Sequence, residues 1–143
     1  MVIEIRDENI FYGIIVRHDY DRDGVSFFTP DDFSQQLAFM KHPVGKVIKP
    51  HFHNGHLRKV YYTQEVLFIR KGRLRVDFYD REQKYFKSYI IGAGDALLLT
   101  DGGHGFQVLE PLEMIEVKQG PYAGDLDKVV FRDLPPEQVL VEE

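Results

Sequence analysis

The chain has 143 residues, of which 43% are hydrophobic and 29% charged, and its formal net charge is −5. This composition indicates one globular domain, and the acidic balance argues against a nucleic-acid partner, which normally needs a basic face. Cysteine is absent, which excludes disulfides and thiolate metal sites. No apolar stretch approaches the roughly 20 residues of a membrane span, and no signal segment is visible, so we expect a cytoplasmic protein with no membrane partner.

The first 44 residues predict two strands and a short helix. Residues 2–6 alternate apolar and charged side chains, and residues 10–16 are a mostly apolar run. A helix is predicted after Thr29, because Pro30 stands at the first helical position and two acids follow it. Apolar residues then recur at helical spacing up to Pro43.

From Gly45 onward, short apolar or alternating runs separated by turn residues predict strands. They cover residues 47–53, 61–70, 73–79, 85–91, 95–100, 105–109 and 114–118. The acidic tail, residues 124–143, has one more candidate edge strand at 139–141. Short strands at this spacing favour an all-β sandwich, jelly roll or closed barrel, with the core in residues 45–118 of a single domain, 1–143.

Histidine and glutamate side chains mark the candidate site. His51 and His53 are two residues apart, so in a strand both imidazoles project from one face. Glu65 begins another strand, and His104 follows the turn Asp101-Gly-Gly103. Three imidazoles and a carboxylate on one barrel wall would suit divalent iron, manganese, nickel, cobalt or zinc, with positions left open for substrate.

The spacing of these residues resembles the two motifs of the cupin superfamily. Gly45, His51, His53, Glu65 and Gly72 are similar to the first motif, although eleven residues separate His53 from Glu65 where three or four are usual. The segment from Gly94 to His104 follows the second motif more loosely, with Thr100 in place of proline. The resemblance covers residues 45–118.

This resemblance implies a double-stranded β-helix (jelly-roll) barrel, preceded here by the short N-terminal helix, and a homodimer. It also implies that His51, His53, Glu65 and His104 bind a divalent transition metal, with the three histidines as catalytic residues. The extra residues 54–64 lie where a small-molecule substrate would enter. We therefore expect substrate contacts from His56, Arg58, Tyr62 and Phe106, with His56 as an alternative metal ligand.

A second resemblance leaves the reaction open. The segment His104-Gly-Phe-Gln-Val-Leu109 is similar to a strand of nucleotide-sugar epimerases and ketoisomerases, cupin-like enzymes that transfer protons beside a ketone, often without metal. The same histidines could then act as acid and base. We expect an isomerase, epimerase or dioxygenase acting on a small polar, oxygen-rich substrate, for example in sugar or polysaccharide metabolism. The alternative is a non-catalytic cupin that binds a metal or small ligand.

Overall fold

The computed structural model describes residues 1–143, and strands account for almost all of its regular structure. The nine strands are β1 (Val2–Arg6), β2 (Phe11–Val16), β3 (Gly24–Phe27), β4 (Ala38–Lys41), β5 (Glu65–Tyr79), β6 (Tyr85–Gly92), β7 (Ala96–Leu99), β8 (Gly103–Lys118) and β9 (Val141–Glu142). Two short 3₁₀ helices follow β8, Gly124–Asp127 and Pro136–Gln138. Neither helix has the length or apolar character that crossing a bilayer requires. The all-β prediction is confirmed.

Strand β5 lies at the centre of a seven-stranded sheet. Six of the strands follow the order β1-β2-β7-β5-β6-β9, and the seventh, β8, pairs with β5. One edge of β5 pairs with β7 along its first residues and with β6 along its last. The other edge pairs with β8 over the whole length of β5. No strand pairs with the far edge of β8, which is therefore free. Strands β3 and β4 form a separate hairpin.

A bulge at Gly72 curls the β5–β8 ribbon. The register between the two strands is broken between Ile69 and Leu74, and Gly72 has φ +87°. Before the bulge Leu67 and Ile69 face the core. After it Leu74, Val76 and Phe78 face the core. The sheet therefore wraps as a half-barrel around the larger of two apolar clusters, and the β3–β4 hairpin packs on the smaller one. Closure of that half-barrel into a double-stranded β-helix remains a prediction.

The predicted helix after Thr29 is wrong. Residues 28–37 form the loop of the β3–β4 hairpin, which a hydrogen bond from Phe28 N to Leu37 O (2.9 Å) closes. The Thr29 hydroxyl accepts a hydrogen bond from Leu37 N across this loop and caps no helix. The spacing of apolar residues arose because the loop packs on β2, where the rings of Phe33 and Phe11 meet edge to face at 5.5 Å.

The predicted strand at 47–53 is also wrong for the single chain. Residues 42–61, here called the arm, are exposed throughout and have no strand partner. Their hydrogen bonds stay within the arm, as from Lys46 N to Pro43 O. The predicted strands at 61–70 and 73–79 are one continuous strand, β5, and those at 105–109 and 114–118 are one strand, β8.

Candidate functional site

Glu65 and His104 meet on the concave face of the half-barrel. Glu65 is the first residue of β5, whereas His104 pairs with Phe78 near the other end of that strand. Side chains of a cross-strand pair share a face, and Phe78 is buried in the core, so His104 also faces inward. The curl of the ribbon then brings His104 Nε2 to 3.2 Å from Glu65 Oε2.

The pair is partly shielded from solvent, with side-chain exposures of 15% for Glu65 and 30% for His104. Hydrogen bonding to His104 holds the pKa of the Glu65 carboxyl below its usual range, although burial acts in the opposite direction. The positive charge of Lys118, the cross-strand neighbour of Glu65, also lowers this pKa. Glu65 is therefore an ionised carboxylate at neutral pH, available to a cation or a proton donor.

An open cleft of about 1160 Å³ adjoins the pair. Residues from both faces of β8 line this cleft, including His104 and Phe106 on one face and Gly105 and Gln107 on the other. Residues 126–134 of the C-terminal tail form the opposite wall. The cleft therefore runs past the free edge of β8. Its lining carries both acidic and basic side chains, which suits a small polar molecule.

The sequence did not point to a second charged cluster, centred on Asp77. Arg75 donates two hydrogen bonds to the Asp77 carboxylate, at 2.7 and 3.0 Å, and the Ser88 hydroxyl donates a third. Asp77 is 5% exposed, and its hydrogen bond raises the pKa of Arg75. The alternation of charged and apolar residues in 73–79 indicates that one face carries charge, and the tail packs on part of that face through the ring of Phe131 on Tyr79.

Only two of the four predicted metal ligands come together in the single chain. His51 and His53 lie on the arm and are exposed, with their ring centroids 5.4 Å apart. His51 Nδ1 is 2.8 Å from the carbonyl oxygen of Lys49, also on the arm. No three His, Asp or Glu side chains in the structure are arranged to hold a metal ion.

Of the four predicted substrate-binding residues, two line the cleft and two do not. Tyr62 and Phe106 line the cleft. The Arg81 guanidinium stacks 3.5 Å from the centre of the Tyr62 ring, and the rings of Phe106 and His104 lie 5.3 Å apart. His56 and Arg58 are exposed on the arm and do not line the cleft.

Comparison with family models, curated proteins and solved structures finds no match to this chain.

Proposed function

We propose that this protein is a metal-binding cupin enzyme that acts on a small polar, oxygen-rich molecule in the cleft beside Glu65 and His104. The observation that supports the proposal is the inward-facing Glu65–His104 pair, 3.2 Å apart on a curled β-sheet. An imidazole and an ionised carboxylate are typical ligands of divalent transition metals. Barrel strands also hold such ligands rigidly, as a catalytic site requires.

The donor set is incomplete in one chain, because His51 and His53 lie on the arm. A divalent metal held by all four residues would need the arm to reach the cleft. When bound, such a metal would polarise a carbonyl or phosphoryl oxygen of the substrate. The chain's own residues would orient the substrate: Phe106 supplies an apolar wall, and the hydroxyl of Tyr62 a polar contact.

Metal-free proton transfer is the second candidate, and the same pair supports it. A carboxylate that accepts a hydrogen bond from an imidazole orients the ring for proton transfer. In this alternative His104 would act as acid or base for an epimerase or ketoisomerase, with Glu65 as the positioning residue. The reaction class, isomerase, epimerase or dioxygenase, depends on which candidate holds. A non-catalytic metal- or ligand-binding role would leave the cleft as a binding site only.

Metal content separates these candidates. Purified wild-type protein, incubated with iron(II), manganese, cobalt, nickel and zinc in turn and then desalted, is expected to retain about one ion per chain by elemental analysis. Glu65→Gln and His104→Ala should each weaken the binding by at least about 10–100-fold, since each removes a ligand. His42→Ala is the matched control, because this arm histidine is outside the predicted ligand set and its removal should change nothing.

Retention of no metal by the wild-type protein would contradict the metal-binding proposal and favour proton transfer. In that case a ketose–aldose or epimerisation assay with deuterated solvent should still show exchange of a substrate proton, and His104→Ala should abolish it. Metal binding without turnover of sugar phosphates, nucleotide sugars or keto acids would favour the non-catalytic role.

A further inference from the structure

We propose that the arm of one copy of this protein docks along the free edge of β8 in a second copy and brings His51 and His53 to the partner's cleft. Each metal site would then be built from two chains. This inference rests on the proposed metal-binding function for its ligand set, but its structural part, exchange of the arm, stands on separate observations.

The first observation is that the arm and the far edge of β8 each lack a strand partner. The structure has 56 backbone–backbone hydrogen bonds, whereas a globular chain of this length has roughly 100. The arm and the free edge of β8 both contribute to this deficit. A long strand with an open edge is a template for another strand, and natural proteins rarely leave one uncovered.

The second observation is that the exposed surfaces of the two segments are apolar. Phe52 and Leu57 on the arm are 85% and 87% exposed, and Val108 and Val117 on β8 are each 56% exposed. Large exposed apolar surfaces of this kind mark contact sites. Mutual burial of these side chains would remove the apolar surface of both segments from water.

The third observation is charge. The arm carries four cations and no acidic residue, although the whole chain has a net charge of −5. These cations are Lys46, Lys49, Arg58 and Lys59. Strand β8 carries three glutamates, Glu110, Glu113 and Glu116, against the single cation Lys118. A basic arm on an acidic strand is a complementary pair, which fixes orientation and speeds association.

The geometry of the arm favours a second copy over the arm's own barrel. Lys41, next to its first residue, is held by Asp21 at 2.6 Å, and Gln64 beyond its last is held by Gln119 at 2.9 Å. Between these anchors every arm residue is exposed, and Val44 is fully exposed. Residues 47–53 would span about 23 Å as a strand, and the remaining arm residues up to 61 are enough to continue along β8 to its glutamates. Pro50 fits an edge strand, where proline is tolerated.

Mixing two defective variants tests the exchange. The arm variant His51→Ala/His53→Ala and the barrel variant Glu65→Gln/His104→Ala should each bind no metal. In a mixed dimer with different affinity tags, the wild-type arm of one chain meets the wild-type cleft of the other. We expect about one cobalt ion per mixed dimer, against about none in either parent. Absence of cobalt from the mixed dimer, when wild type binds it, would overturn the exchange.

A cross-link that needs no metal keeps the two proposals distinguishable. A photoreactive benzoylphenylalanine at Phe52 is mixed with ¹⁵N-labelled wild-type protein and irradiated. Exchange predicts cross-linked peptides in which the β8 part carries ¹⁵N, and the same residue placed at Glu8, in the exposed β1–β2 turn, should give none. Such cross-links in a protein that binds no metal would support the exchange and contradict the metal site. Unlabelled β8 peptides alone would show docking within one chain and overturn the inference.

Discussion

At the scale of single residues, the buried ion pair of Arg75 and Asp77 makes a sharp prediction. Arg75→Ala should lower the free energy of unfolding by about 3–5 kcal/mol, because it leaves the Asp77 carboxylate buried without a counter-charge. Chemical denaturation followed by circular dichroism measures this. The matched control is Arg73→Ala on the same strand, whose pair with Glu110 is half exposed at 3.5 Å and should contribute at most about 1 kcal/mol. Equal losses in the two variants would contradict the buried-pair explanation.

Single residues also show how much of the site could be predicted from the sequence. Glu65 and His104 were predicted as site residues from their chemistry and spacing, and the structure places them together. The importance of Asp77 could not be predicted, because alternation assigned it to the face opposite the core. The tail packs on part of that face, where the rings of Tyr79 and Phe131 meet edge to face at 5.0 Å. Such long-range coverage leaves no local pattern in the sequence.

At the scale of secondary structure, strand prediction succeeded where a strand is specified by its own residues. Turn residues located β6 and β7 to within one residue at each end. The helix prediction failed because loop side chains packed on β2 imitate helical spacing. The strand at 47–53 failed for another reason: an extended segment becomes a strand only when a neighbour pairs with it, and the neighbour is not encoded locally.

Gly72 sets the curl of the β5–β8 ribbon, and its substitution tests this. A Cβ at this position would lie 2.1 Å from the carbonyl oxygen of Pro111, and φ is +87°. Gly72→Ala should therefore destabilise the protein by about 2–6 kcal/mol, from backbone strain and steric overlap together. Denaturant midpoints and slopes measure the loss.

The variant Gly24→Ala distinguishes backbone strain from steric overlap. Gly24 has nearly the same φ, +89°, but no atom lies within 4 Å of its Cβ position, so Gly24→Ala should cost only the roughly 1–2 kcal/mol of the left-handed backbone. A loss at position 72 no larger than at position 24 would mean that the β5–β8 contact relaxes freely. The bulge would then not fix the curl that joins Glu65 to His104.

At the scale of the whole molecule, the half-barrel and the arm each have backbone groups without a strand partner. The half-barrel has the Glu65–His104 pair, a cleft and a free strand edge, whereas the arm has the exposed His51 and His53, four cations and exposed apolar side chains. Exposed strand edges and exposed apolar surface both favour association. Assembly, metal binding and stability are therefore expected to be linked.

That linkage predicts how the thermal midpoint responds to protein concentration and metal. If two chains share each site, the midpoint should rise with protein concentration, and metal at a hundredfold excess over its dissociation constant should add about 2.7 kcal/mol of stability. A chelator should remove only the metal increment. The variant His51→Ala/His53→Ala should keep the concentration dependence, because its arm still docks, but lose the metal increment. Differential scanning calorimetry over a wide range of protein concentration measures the concentration dependence and the metal increment. A midpoint that does not change with protein concentration would contradict a site shared by two chains.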